Sequence, residues 1–214
     1  MKKIILSCTL ILLLATGAQA GTVIDFTDFV IDTSTLGRVY KTTVPVIGIG
    51  DIDMRFAAQA AAGQTSLTNL WWDDIDGFGV QYSYEPDEIE GPEFLLLEFE
   101  NGPVFLNKFG VADLFNEGYL EMGIYRTDTS AWEEFFALSD QYPDPASNGE
   151  RWVEVNQVVS WLKFSAPGLL QNGQNHEFAL QQIEVSAVPV PPTVLLLGSG
   201  ILGLVGLRRK FRKI

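Results

Sequence analysis

The sequence predicts an all-β protein: a single two-sheet β-sandwich, jelly-roll-like, flanked by an N-terminal signal helix and a C-terminal transmembrane helix. Three observations carry this. Along residues 21–187, short runs alternate apolar and polar side chains, are rich in β-branched and aromatic types, and are parted by Gly, Pro, Asn and Asp, the pattern of strands with one buried face. No period recurs, which argues against a solenoid or propeller. Two apolar segments of different design close the ends, and the roughly 170 residues between them suffice for one domain with its own core.

At the N-terminus, Lys2 and Lys3 precede an apolar run over 4–15, and Ala18-Gln19-Ala20 stands before Gly21. A short apolar run ending in small residues is a secretory signal peptide with an A-x-A site, read by Ala18 and Ala20 and cut after Ala20. The single cysteine, Cys8, lies in the segment to be removed and has no lipobox-like residues before it. Lipoprotein anchoring is therefore not expected, and the mature fold has no disulfide to depend on.

Strands are expected over 22–26, 38–44, 47–56, 79–84, 93–99, 104–109, 121–125, 151–155, 159–164 and 177–187. Glu100-Asn101-Gly102-Pro103 falls between two of them, and Asn-Gly predicts a hairpin joining them. Helix is scarce: one or two turns over 57–62 before Gly63, and a turn over 111–116 before Gly118.

All 27 acidic residues lie between Gly21 and Thr193, where only seven residues are basic: seven less 27 leaves a net charge of −20. Such a domain repels nucleic acid and anionic polymers, because phosphate neutralisation needs clustered Lys and Arg. No nucleic-acid partner is expected. The acidity fits either a solvated extracellular surface or one that recruits divalent cations through carboxylate oxygens.

After the domain come Val188, Pro189, Val190, Pro191 and Pro192, then an apolar stretch over 193–207, then Arg208, Arg209 and Lys210 followed by Phe211, Arg212, Lys213 and Ile214. The stretch is shorter than the roughly 20 residues of a full bilayer crossing, though snorkelling arginines extend its reach. Five cations at its end suit a membrane stop with the basic tail inside. This order of Pro-rich motif, Gly-interrupted apolar helix and basic cluster, behind a signal peptide, resembles the PEP-CTERM class of sorting signals. The Val-Pro-Val-Pro form departs from the commonest Val-Pro-Glu-Pro and looks closer to the VPLP-type variant. The resemblance implies an exosortase, a membrane cysteine protease of Gram-negative bacteria that make extracellular polysaccharide, as processing partner. It also implies an exported protein, held in the inner membrane at least transiently and then at the cell surface or beyond it, in a biofilm setting. Short motifs over 73–117 are similar to ones in PEP-CTERM surface proteins with β-sandwich ectodomains, a group whose molecular function is largely undefined.

Chemistry is most concentrated in Trp71-Trp72-Asp73-Asp74-Ile75-Asp76-Gly77 and in the acidic run around Asp87, Glu88 and Glu93. Close carboxylates with an intervening glycine can wrap calcium, which takes six to eight oxygens in irregular loops; Asp73, Asp74, Asp76, Asp87, Glu88 and Glu93 are the candidate ligands. The bland counterpart is a solvated acidic loop. Trp71 and Trp72 are candidate glycan contacts, since sugar rings stack on aromatic faces, although strand alternation would send one outward and bury the other. Trp132, Trp152 and Trp161 are expected in the core.

No enzyme is expected. With one histidine, His176, and no mature cysteine, neither a His-rich zinc site nor a Cys nucleophile is available. A Ser-His-Asp set lacks a Gly-x-Ser-x-Gly elbow, and a carboxylate-pair hydrolase rests on acid abundance alone. The functional expectation is a structural or adhesive protein acting with extracellular polysaccharide. A calcium-dependent carbohydrate-binding module is the alternative, and a glycan-active hydrolase stands behind it.

Overall fold

The computed structural model describes residues 21–32, 36–59, 69–81, 88–89, 93–115, 120–137, 149–167 and 176–188. The signal segment with Ala18 and Ala20, the sorting residues beyond Val188 and the basic tail lie outside the described residues, as does Asp87. Twelve strands form among the described residues: β1 Thr22–Asp25, β2 Val39–Val46, β3 Gly50–Gln59, β4 Asn69–Asp73, β5 Gly77–Gln81, β6 Phe94–Phe99, β7 Val104–Ala112, β8 Met122–Thr127, β9 Glu133–Phe136, β10 Arg151–Val159, β11 Trp161–Ser165 and β12 Ala179–Ser186.

They build two antiparallel six-stranded sheets, a β-sandwich. The first runs β10-β7-β12-β5-β4, with β1 also paired to β12; the second runs β2-β3-β6-β11-β8-β9. From β5 onward the chain alternates between the two, sending β5, β7, β10 and β12 to the first sheet and β6, β8, β9 and β11 to the second. Pro45 sits in β2, an outermost strand, where a missing N–H costs no ladder bond.

Strand alternation makes the core. In β6, Leu95, Leu97 and Phe99 are buried while their neighbours face outward, and the second sheet's inward residues meet those of the first in one cluster. Phe56 of β3 stacks on Phe78 of β5, with centroids 4.0 Å apart, and Phe26 meets both edge-on. At the other end Phe109 of β7 packs edge-on against Tyr125, Phe135 and Phe164. Aromatic pairs in such geometry add about 0.5–1.5 kcal/mol beyond area burial.

Four expectations are corrected. The Asn101-Gly102 turn does not close a hairpin: β6 belongs to the second sheet and β7 to the first. Both strands carry an apolar face, so the chain folds round the core instead of back along the same sheet. Asn101 is tied to β3 by accepting the Asp53 N–H and donating to the Asp51 carbonyl. Ala57 and Ala58 extend β3 rather than starting a helix, and Val111 and Ala112 end β7; both segments are paired by ladder bonds that outweigh the helix propensity of alanine. Strands β4 and β9 form where the sequence predicts none. The strand expected over 47–56 is shifted, with 47–49 forming the β2–β3 turn.

Candidate functional site

The alternation of Asn69-Leu70-Trp71-Trp72-Asp73 sends Leu70 and Trp72 inward and leaves Trp71 and Asp73 half-buried on the other face. Trp72 is a core residue: its indole N–H donates to the Phe26 carbonyl at 2.7 Å. That removes it from the pair of candidate glycan contacts. Trp71 lines a shallow open groove of about 740 Å³ with Asp28, Phe29, Asp73 and Asp74, and its indole N–H is buried with no acceptor among the described residues.

The carboxylates are arranged as turn-formers. Asp73 accepts the N–H groups of Ile75 at 2.9 Å and Asp76 at 2.7 Å, an Asx turn that closes the β4–β5 hairpin. Gly77 follows at φ 95°, and a Cβ there would meet the Leu180 carbonyl oxygen at 2.5 Å, so the turn presses on β12 and admits only glycine. Glu88 lies elsewhere: its carbonyl accepts the Val80 N–H, whereas Asp73 pairs with Gly77. Three strand residues separate the two places, roughly 10 Å. Glu93 is buried at the start of β6, in the other sheet, with its carbonyl accepting the Ser165 hydroxyl. Among the described residues no three His, Cys, Asp or Glu side chains come together to hold a metal ion.

The groups that sequence reasoning misplaced are the other tryptophans. Trp132 and Trp152 are exposed and Trp161 is half-buried, none of them core. On the first sheet's outer face, Lys108 Nζ stands 4.4 Å over the Trp152 ring and 3.2 Å from a Glu184 carboxylate oxygen. On the second sheet's outer face, Lys163 Nζ stands 3.9 Å over Phe94, the Arg126 guanidinium 6.0 Å over Trp161, and Phe94 lies 6.0 Å from Trp132. The signal for this was present in Trp161-Leu162-Lys163-Phe164: with Leu162 and Phe164 inward, Trp161 and Lys163 must face out.

Tyr125, Lys163 and His176 each respond to their surroundings. Burial, and then the neighbouring Arg126, lower the Lys163 pKa. Burial, and then a hydrogen bond to Glu133 at 2.8 Å, hold the Tyr125 phenol well above its usual range. Burial lowers the pKa of His176, whose Nδ1 accepts the Met122 N–H at 3.1 Å; the neutral ring serves β8 as a structural acceptor.

Comparison with models of known protein families finds none that matches this chain, and comparison with curated proteins finds no match either.

Proposed function

We propose that this chain is an exported surface protein, sorted by an exosortase and acting in a structural or adhesive role with extracellular polysaccharide. The observation that carries this is the framing of one acidic domain by an A-x-A signal and a Pro-motif, apolar-helix, basic-tail segment. Rings set on both outer sheet faces, beside cations, add support for a sugar partner, since pyranose faces stack on aromatic ones. Within the same proposal we read the sandwich as a jelly roll: the orders β5-β12-β7-β10 and β6-β11-β8-β9 are those of two interleaved Greek keys.

The test is fractionation of the full chain in a host that has an exosortase. Replacing Arg208, Arg209 and Lys210 together by glutamate is expected to abolish surface display, and replacing Pro189 and Pro191 by alanine to block processing. Wild-type display of both variants would refute sorting through this segment.

A further inference from the structure

Resting on the polysaccharide reading above, we infer that the outer face of the second sheet binds a polysaccharide bearing carboxylate groups, with the anion seated on Arg126 and Lys163 and sugar rings on Trp161 and Trp132.

Charge compensation points to this face. Of the domain's seven cations, Lys41, Arg55 and Lys108 each have a carboxylate partner. Lys163 and Arg126 stand directly opposite each other on β11 and β8, where like charges destabilise a sheet, and among the described residues neither has an ion-pair partner. In a domain with 20 excess negative charges, that is an unusual place to leave two adjacent cations uncompensated. The nearby acids are engaged otherwise: Glu98 by Arg55, Asp128 by the Ser160 N–H, Glu133 by the Tyr125 hydroxyl. Glu134 stands on β9, opposite Ile124. A carboxylate placed between Arg126 and Lys163 accepts charge-assisted hydrogen bonds from both and removes their mutual repulsion.

The surroundings decide what carries that carboxylate. Phe94, Leu96, Ile124 and Trp161 leave apolar surface around the cations, all half-buried on the outward side, and Trp132 is 40% exposed at the margin. Flat rings beside cations suit a chain of sugar rings with an acid substituent. A second copy of this domain would bring its own charge of −20 against the first. The domain's overall charge does not forbid an anionic polymer here, because screening acts over about 8 Å at physiological salt, and a carboxylate on the strip meets Arg126 and Lys163 first.

Binding of the full chain, purified in a polyoxyethylene detergent, is measured against polygalacturonate, alginate and hyaluronate in the presence of a chelator. Fully methyl-esterified polygalacturonate is the control with the same backbone and no charge. The expected result is that at least one acidic polymer binds, that esterification weakens binding about tenfold, and that Arg126→Gln with Lys163→Gln removes that same factor while the thermal midpoint stays near wild type. Trp161→Ala is expected to lose acid and ester alike. Equal binding of acid and ester, or an acid affinity unchanged in the double variant, overturns this site and leaves the polysaccharide reading standing. No binding of any of the four polymers overturns both. Self-association that consumes the face, seen as a dimer that the double variant dissolves, overturns it in favour of a second copy.

Discussion

The two outer faces of the sandwich use the same parts to different ends. On the first sheet Lys108 lies over Trp152 but is also held by Glu184, whose other oxygen accepts from Asn107 at 2.9 Å, and Asn107 in turn accepts from Ser186. Charge and polarity there are closed within the protein. On the second sheet Arg126 and Lys163 lie over Trp161 and Phe94 with no carboxylate to complete them among the described residues. The lesson is that a cation over a ring does not mark a binding face. Whether the cation's charge is already answered separates a finished surface from one that invites a ligand.

Four experiments break or sharpen that contrast. The faces share one scaffold through Phe109, so Phe109→Ala is expected to cost about 3–5 kcal/mol in urea denaturation, with tryptophan signals from both faces lost in one transition. Two separate transitions would show that the faces do not report on a common fold. Next is acid titration, which loosens the second sheet through His176. Unfolded, this ring takes a proton near pH 6.5; folded, burial holds its pKa lower. Below pH 6.5 the unfolded state therefore binds more protons, and stability falls as pH falls. Compared with wild type, His176→Gln is expected to show a flatter loss of stability on acidification; parallel curves would remove His176 from the account. Glu184→Gln converts the first face toward the second by uncovering Lys108. It is expected to cost only about 0.2–1 kcal/mol, since the pair is partly solvated, yet to raise affinity for polygalacturonate. No gain would mean that compensation is not what distinguishes the faces. Smallest of all, Trp132→Ala is expected to change stability by no more than about 0.5 kcal/mol, and a larger loss in thermal unfolding would return Trp132 to a packing role.

Much of the architecture is legible in the sequence. Ten of the twelve strands overlap expected ones, because residues such as Leu95, Leu97 and Phe99 repeat with the period of a pleated strand. What failed had local causes. Ala57 and Ala58 carry helix propensity, and only pairing with Leu96 and Leu95 makes them strand. Asn101-Gly102 has hairpin chemistry, but which sheet each flanking strand joins is a tertiary matter. Glu133-Glu134-Phe135-Phe136 has no clean alternation, and β9 exists because Phe135 packs on Phe109 and Phe178. Of the candidate site, the sequence marks Trp71 and marks Asp73 as a candidate calcium ligand, but not that Asp73 is spent on backbone N–H groups of a turn. Alternation turns Trp161 and Lys163 outward, but that Arg126 of β8 lies beside them depends on strand pairing, which no local pattern carries.

Strand β12 lies at the heart of the first sheet, between β7 on one side and β1 and β5 on the other, with Thr22 opposite Val185. Among the described residues it is also the last strand along the chain. Until residues 179–186 are made, β1, β5 and β7 have no common partner, and Thr22 must find Val185 far along the sequence. Contacts of such long range make closure slow. The second sheet has all its strands by Ser165, whereas the first waits for residues 179–186, so the position of a single strand sets the order in which the two layers can be completed.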